Sequence, residues 1–291
     1  MERTGPIDLF SHVRVFLEMI KFEHTLFALP FAYTGMFLAA AGKPDWKAIF
    51  WITLALAAAR TLAMTVNRIA DKEYDARNPR TSGRALPQGL LNSSGVIIAA
   101  IVSLVLFELA AWCLNTVVFI LSFPALVFLL GYHYTKRFTW GSHWVLGFTD
   151  GIAAAGGWAA IKGTLDWPAY VLWFAVMCWI AGVDMIYACQ DIEADRREGL
   201  YSVPSRFGTA MALGLARVNH FLAVAALFVL GMMMELSWPY WVGVTVASGL
   251  LVYENTLVRA DDLSRLDYAF FNVNGYISVC LFAGTVCAVL I

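Results

Sequence analysis

The chain has 291 residues, of which 60% are hydrophobic and only 14% charged, which excludes an ordinary water-soluble domain with its roughly 25% of charged residues. The formal net charge of −1 hides a strong segregation of charge into a few loops. It points to no nucleic-acid partner, and no obligate protein partner is evident either.

Along the chain, apolar runs of about 17–25 residues recur, the length that crosses a hydrocarbon core as an α-helix. The expected fold is therefore all-α, a polytopic membrane bundle of about nine helices in one domain spanning residues 1–291. A series of runs this long selects helices over a barrel, because in lipid each segment must satisfy its own backbone hydrogen bonds. The first 24 residues contain Glu2, Asp8, Glu18 and Glu23 and lack a small-residue cleavage site, so no signal peptide is expected. Within this N-terminal segment, Leu9 to Phe22 reads as an amphipathic helix at the membrane surface. The spans are then expected near Thr25–Ala41, Ala48–Val66, Val96–Trp112, Thr116–Tyr134, Trp144–Ile161, Pro168–Tyr187, Val218–Met234, Trp238–Thr256 and Ala269–Ile291.

Basic residues alternate between the two sides. Arg3, Arg14 and Lys21 precede the first span, Arg68 to Arg84 follow the second, and Lys136 and Arg137 follow the fourth. Arg196, Arg197, Arg206 and Arg217 follow the sixth, and Arg259 and Arg265 the eighth, against only Lys43, Lys47 and Lys162 in the opposite loops. The positive-inside bias places the N-terminus and these loops in the cytoplasm and the C-terminus outside; the expected location is an inner (plasma) membrane of the prokaryotic type. Trp46, Trp140, Trp167 and Trp238 stand near span ends and read as an aromatic belt. The five cysteines, Cys113, Cys178, Cys189, Cys280 and Cys287, lie in or beside apolar spans without a CxxC pair, and read as small hydrophobes.

Two of the basic loops carry more charge than orientation requires. The first runs from Asn67 through Asp71 and Asp75 to Arg77, Arg80 and Arg84; the second runs from Asp184 through Tyr187, Asp191 and Asp195 to Arg197. Asn67, Asp71 and Asp75 are four apart, and Asp184, Tyr187, Asp191 and Asp195 are three, four and four apart, so each set is expected to share one helical face. Like charges at that spacing repel, which suggests a cation between them. Carboxylate and amide oxygens suit Mg²⁺, usually held by one or two carboxylates plus substrate phosphates, and nearby arginines suit the phosphate oxygens. Superposing Asp71 on Asp191 also brings Asp75 onto Asp195 and Arg77 onto Arg197, a short match that suggests an internal repeat. Lys72, Glu73, Glu193 and Glu198 read as a solvated face. Asp184 lies deeper, where an acid is functional by default, and Asp150 either lines a cavity or caps a helix break. The histidines His12, His24, His133, His143 and His220 read as anchors or capping groups.

With both loops in view, the chain resembles the UbiA superfamily of intramembrane prenyltransferases. Asn67, Asp71 and Asp75 match its NDxxDxxxD motif, Asp191 and Asp195 its DxxxD motif, and Tyr132 with Lys136 its YxxxK element. The NPRTSGR and YACQDIEADRR runs are similar to the 4-hydroxybenzoate branch, and the opening IKFEHTLFALP run to a branch of menaquinone biosynthesis. Arg68 departs from the pattern, standing where many members have aspartate. The resemblance implies transfer of a polyprenyl group from its diphosphate to a small aromatic acceptor, 4-hydroxybenzoate or else 1,4-dihydroxy-6-naphthoate, in respiratory quinone synthesis. It implies Mg²⁺ on Asn67, Asp71, Asp75, Asp191 and Asp195, with Asp71, Asp191, Asp195 and Lys136 catalytic. Asn67, Arg77, Arg80, Arg84, Tyr132, Lys136, Asp184, Tyr187 and Arg197 would contact the substrates, and Asp191 or Asp184 would place the acceptor or take its proton. A cation-coupled transporter is the alternative from another class, but its acids belong near the bilayer midplane. A CDP-alcohol phosphotransferase lacks its DGxxAR signature here.

Overall fold

A computed structural model describes residues 9–21 and 23–291, and all regular structure among them is helical. The helices are α1 (Leu9–Met19), α2 (Glu23–Ala39), α3 (Trp46–Ala70), α4 (Lys72–Arg77), α5 (Ser93–Leu114), α6 (Thr116–Thr135), α7 (Ser142–Lys162), α8 (Trp167–Tyr187), α9 (Ile192–Arg197), α10 (Val203–Phe207), α11 (Thr209–Met233), α12 (Trp238–Leu257) and α13 (Asn274–Leu290). The expectations on Glu2, Arg3 and Asp8, and on the side chains of Glu23 and His24, concern positions outside this description.

Each of the nine expected spans overlaps one long helix, and the boundaries have local causes. Asn92 caps α5 by accepting from the Ser94 amide at 2.9 Å, and Asn115 caps α6 by accepting from Val118 at 2.9 Å. Both satisfy amides that have no partner within the helix. Pro168 and Pro239 sit in the first turns of α8 and α12, where a missing N–H is harmless. Six segments among the described residues are long and apolar enough to cross a bilayer: Trp46–Ala70, Ser93–Leu114, Thr116–Thr135, Trp167–Arg197, Thr209–Met233 and Tyr268–Leu290. The bundle also leaves large apolar side chains outward along whole helix faces, such as Ile98, Ile101 and Val105 on α5 and Phe221, Phe228 and Met232 on α11. Patches of that extent do not survive in water. The chain is an integral membrane protein.

The centre of the bundle is α8, which packs between α7 and α11, while α7 also packs on α2. The α2–α7 contact is close because it is built from small residues. A Cβ on Gly35 would collide with the Ala154 carbonyl, and one on Gly157 with the Ala32 carbonyl. Lipid supplies no hydrophobic drive between helices, so such backbone proximity and van der Waals packing hold them together. Trp46, Trp167 and Trp238 are the first residues of α3, α8 and α12, and all three are exposed. At α1, Met19 and Ile20 are buried against Ala85, Leu86 and Val96, while Phe10, Val13 and Leu17 remain exposed along another stripe. The five cysteines are free thiols.

Each acidic loop bends where its helix ends. The α3 helix stops at Ala70 and α4 begins at Lys72; α8 stops at Tyr187, and a 3-10 turn over Ala188–Asp191 precedes α9. The break falls on the aspartate in both, with Asp71 at φ −101°, ψ 7° and Asp191 at φ −102°, ψ 5°. Each aspartate then opens a six-residue helix. The bends keep each set together: Asn67 Nδ2 donates to Asp71 Oδ2 at 2.9 Å, and Asp71, Asp75, Asp191 and Asp195 line one pocket; the matched bends agree with the internal repeat. The break that Asp150 was one way of explaining is absent, since α7 runs unbroken through that residue.

Candidate active site

The two loops meet at one end of the bundle around a polar pocket lined by Asp71, Tyr74, Asp75, Asn78, His133, Lys136, Arg137, Asp191, Asp195 and Glu198. Asp75, Asp191 and Asp195 are buried. Each of the four aspartates faces a cation. Arg84 donates to both oxygens of Asp75 at 2.7 Å, and Arg80 spans Asp191 with Nε at 2.9 Å and Nη2 at 2.7 Å. Lys136 lies 3.3 Å from Asp195, and Arg137 lies 3.4 Å from Asp71. The loops are tied across the pocket by Arg80 and Asn78 on Asp191 and by Arg77 on Glu198 at 2.7 Å. Glu198 is therefore part of the rim, and not the solvated charge its sequence context suggests.

The field in the pocket is finely divided between signs. Burial pushes the Asp71 carboxyl above its ordinary range, neighbouring Asp75 adds to this, and Arg137 pulls it back only in part. Burial works against the Lys136 ammonium, but Asp195, Asp184 and Asp191 hold it charged and raise it overall. No three His, Cys, Asp or Glu side chains converge as a closed metal cage among the described residues. Mg²⁺ completed by phosphate oxygens and water requires only one or two carboxylates. Asp71, whose Arg137 partner stands off at 3.4 Å, and Asp75 beside it are hard oxygen donors that fit that ion.

Tyr187 and Asp184 lie on α8 just below the loop. Tyr187 stacks on Phe270 with centroids 4.1 Å apart, and the Arg80 guanidinium sits 5.5 Å from the Tyr187 ring centre. Phe270 belongs to a π-helical turn, Tyr268–Val273, that precedes α13. Asp184 bonds to His143 Nδ1 at 2.6 Å. The Val203 amide donates to His143 Nε2 at 3.1 Å, so that nitrogen is an acceptor and the imidazole hydrogen is on Nδ1, aimed at Asp184. His143 is a capping group as expected, and it also orients an acid. Arg197 is exposed and does not line the pocket.

Below the polar pocket lies a larger, mostly apolar cavity between α2, α3, α5, α6 and α7. Its lining includes Phe31, Leu56, Leu121, Leu129 and Gly156, with Arg60, Tyr132 and Asp150 as its main polar groups. Neighbours in sequence divide the two spaces: Tyr132 faces the apolar cavity and His133 the polar pocket. Arg60 is ten residues inside α3, about 15 Å below its loop end at 1.5 Å per residue. Its Nε has no hydrogen-bond partner, and it lies within coulombic reach of Asp150 and Tyr132. Sequence reasoning passed over Arg60, although an arginine within an apolar span is itself a signal.

The structure is thus that of a helical membrane protein that sets a pocket of four aspartates, Lys136 and Arg137 above a mostly apolar cavity. The chain belongs to the UbiA prenyltransferase family, which it matches over residues 28–276, and it is a prenyltransferase. The 4-hydroxybenzoate octaprenyltransferase of Aliivibrio fischeri is 30% identical over 259 residues, covering 88% of this chain and 90% of that protein. That of Nitrosospira multiformis is 32% identical over 255 residues, covering 87% and 86%. A UbiA homologue from Aeropyrum pernix superposes with a TM-score of 0.83 at 28% identity, covering 90% of this chain and 96% of that one. One from Archaeoglobus fulgidus, solved with GPP and Mg²⁺, shares the fold with a TM-score of 0.72 at 17% identity, covering 95% and 100%.

Proposed function

We propose that this chain transfers a polyprenyl group from its diphosphate to the ring of a small aromatic acid, 4-hydroxybenzoate, as one Mg²⁺-dependent domain in the inner membrane. The N-terminus and the two acidic loops would face the cytoplasm, with nine crossings. The basic residues gathered at the pocket end, and the relatives named for the same acceptor, support this reading. The observation that carries it is Arg60, a cation in the lining of the apolar cavity whose buried Nε has no hydrogen-bond partner. A benzoate carboxylate there would be paired, and its ring would stand under the diphosphate.

Asp71, Asp75, Asp191 and Asp195 would hold Mg²⁺, which would screen the diphosphate and draw off its negative charge; the Asn67 amide oxygen accepts from Arg68 Nη1 at 2.9 Å and would stand outside this set. Arg80 and Arg84 are paired with Asp191 and Asp75 in this structure. On substrate binding they would turn from carboxylate to phosphate oxygens, an exchange that leaves no charge unpaired. Lys136 would stabilise the leaving diphosphate as the C1–O bond breaks and the electron pair stays on oxygen. The allylic carbon would then bond to the acceptor ring, and the ring would lose a proton. We assign that proton to Asp184, which lies on α8 below the pocket and is oriented by His143 at 2.6 Å, because Asp191 would by then be committed to Mg²⁺. The Tyr187–Phe270 stack would face the developing cation, and the apolar cavity would hold the tail away from water.

The second reading, 1,4-dihydroxy-6-naphthoate as acceptor, rests on the Ile20–Pro30 run and would use Arg60 in the same way. Competition between the two acids at equal concentration, with geranyl diphosphate and Mg²⁺, separates them. The expected result is a larger kcat/KM for 4-hydroxybenzoate. Preference for the naphthoate would move the chain to the menaquinone branch.

A further inference from the structure

Arg68 is where the first loop departs from the family motif, and its guanidinium does not enter the polar pocket. It is 7% exposed and turned back toward the N-terminal helix. Its Nε donates to the Met19 carbonyl at 3.3 Å, at the end of α1, and its Nη1 donates to Asn67 Oδ1 at 2.9 Å. Asn67 Nδ2 in turn donates to Asp71 Oδ2 at 2.9 Å. A guanidinium can only donate and a carboxylate can only accept, so these two partners fix the orientation of the Asn67 amide. Reversing it would set NH₂ against guanidinium and oxygen against carboxylate. The Met19 anchor is itself fixed, because Met19 and Ile20 are buried against Ala85, Leu86 and Val96.

We infer that Arg68 is a positioning residue for the Asp71 carboxylate: anchored on the end of α1, it sets the Asn67 amide, and that amide holds Asp71 toward the pocket. Asp71 needs such a hold because the Asp75 carboxylate bears on it and its Arg137 partner is distant at 3.4 Å. The amphipathic helix thereby becomes a structural part of the acidic site. An aspartate at position 68 would accept rather than donate, and would favour the reversed amide, with its oxygen against Asp71.

This inference rests on the reading that the pocket holds a divalent cation, and it is tested by binding rather than turnover. Mn²⁺ is titrated by electron paramagnetic resonance into the purified full chain in detergent, with geranyl S-thiolodiphosphate present. Outer partners of metal ligands typically change affinity by about 10–100-fold, so R68A should raise the Mn²⁺ Kd about tenfold. R68K, which still donates to Asn67 Oδ1, should stay near the unaltered protein, and R68D should be weaker than R68A. With N67A already in place, R68A should add nothing, since the effect passes through that amide. R68Q, too short to span Met19 and Asn67 together, should behave as R68A and serves the comparison if R68A does not fold. An unchanged Kd in folded R68A or R68Q, or an additive effect in the N67A background, would overturn the inference. Absence of Mn²⁺ binding by the unaltered protein would instead overturn the cation reading, and this inference with it.

Discussion

Asp191→Asn is expected to lower turnover by about three orders of magnitude, roughly 4 kcal/mol of transition-state stabilisation, while the protein stays folded. The substitution keeps shape and removes charge at the carboxylate on which the two loops converge. Asp191 accepts from Asn78 at 3.2 Å and from Arg80 through two nitrogens. An asparagine there would present one oxygen where two are used, and its NH₂ group would face a guanidinium. The stability effect is smaller, because the Arg80 side chain is 33% exposed and can turn to solvent once unpaired. A loss of about 1 kcal/mol is expected for a partly solvated pair, seen as a shift of a few degrees in a thermal melt. Activity within tenfold of the unaltered enzyme would remove Asp191 from the chemistry. A collapsed melt would make it a structural residue instead.

Arg60→Met is expected to act on one substrate only. Charge-assisted hydrogen bonds contribute about 1.5–3 kcal/mol, so the KM for 4-hydroxybenzoate should rise about 10–100-fold. The KM for geranyl diphosphate should hold, since on the proposed reading its headgroup would bind in the polar pocket. Methionine fills a similar length and suits the apolar cavity that Arg60 lines with Leu56 and Leu129. An uncharged acceptor such as 4-hydroxybenzamide should be nearly indifferent to the change, so the preference for the acid should disappear. Steady-state kinetics with both acceptors checks this. Equal loss with acid and amide would mean that Arg60 supports the cavity without pairing the carboxylate.

Much of this architecture was legible in the sequence because lipid leaves the backbone few choices. Apolar runs bounded by Asn92, Asn115, Pro168 and Pro239 had to be helices, and each lies where its run predicts. The Asn67–Asp75 and Asp184–Asp195 sets were legible as a site because their spacing repeats acids where repulsion needs a cation. The bends at Asp71 and Asp191 were not legible, since neither carries the glycine or proline that usually marks a break. Nor were the cross-loop partners of Asp191 and Glu198, which depend on how separate segments of chain dock. Arg60 was overlooked among apolar neighbours, and the role of His143 required seeing that Val203 and Asp184 take its two nitrogens. Arg68 looked like a lost acid by motif; the structure shows a donor buried against α1.

The most direct test of the whole account is prenyl transfer by the purified chain in detergent, with geranyl diphosphate, 4-hydroxybenzoate and Mg²⁺, followed by mass spectrometry and by diphosphate release. The account predicts 3-geranyl-4-hydroxybenzoate and diphosphate in equal amounts, both lost on adding EDTA and restored by excess Mg²⁺. Folded protein that releases no diphosphate under these conditions, with short or long prenyl donors and with either aromatic acid, would contradict it.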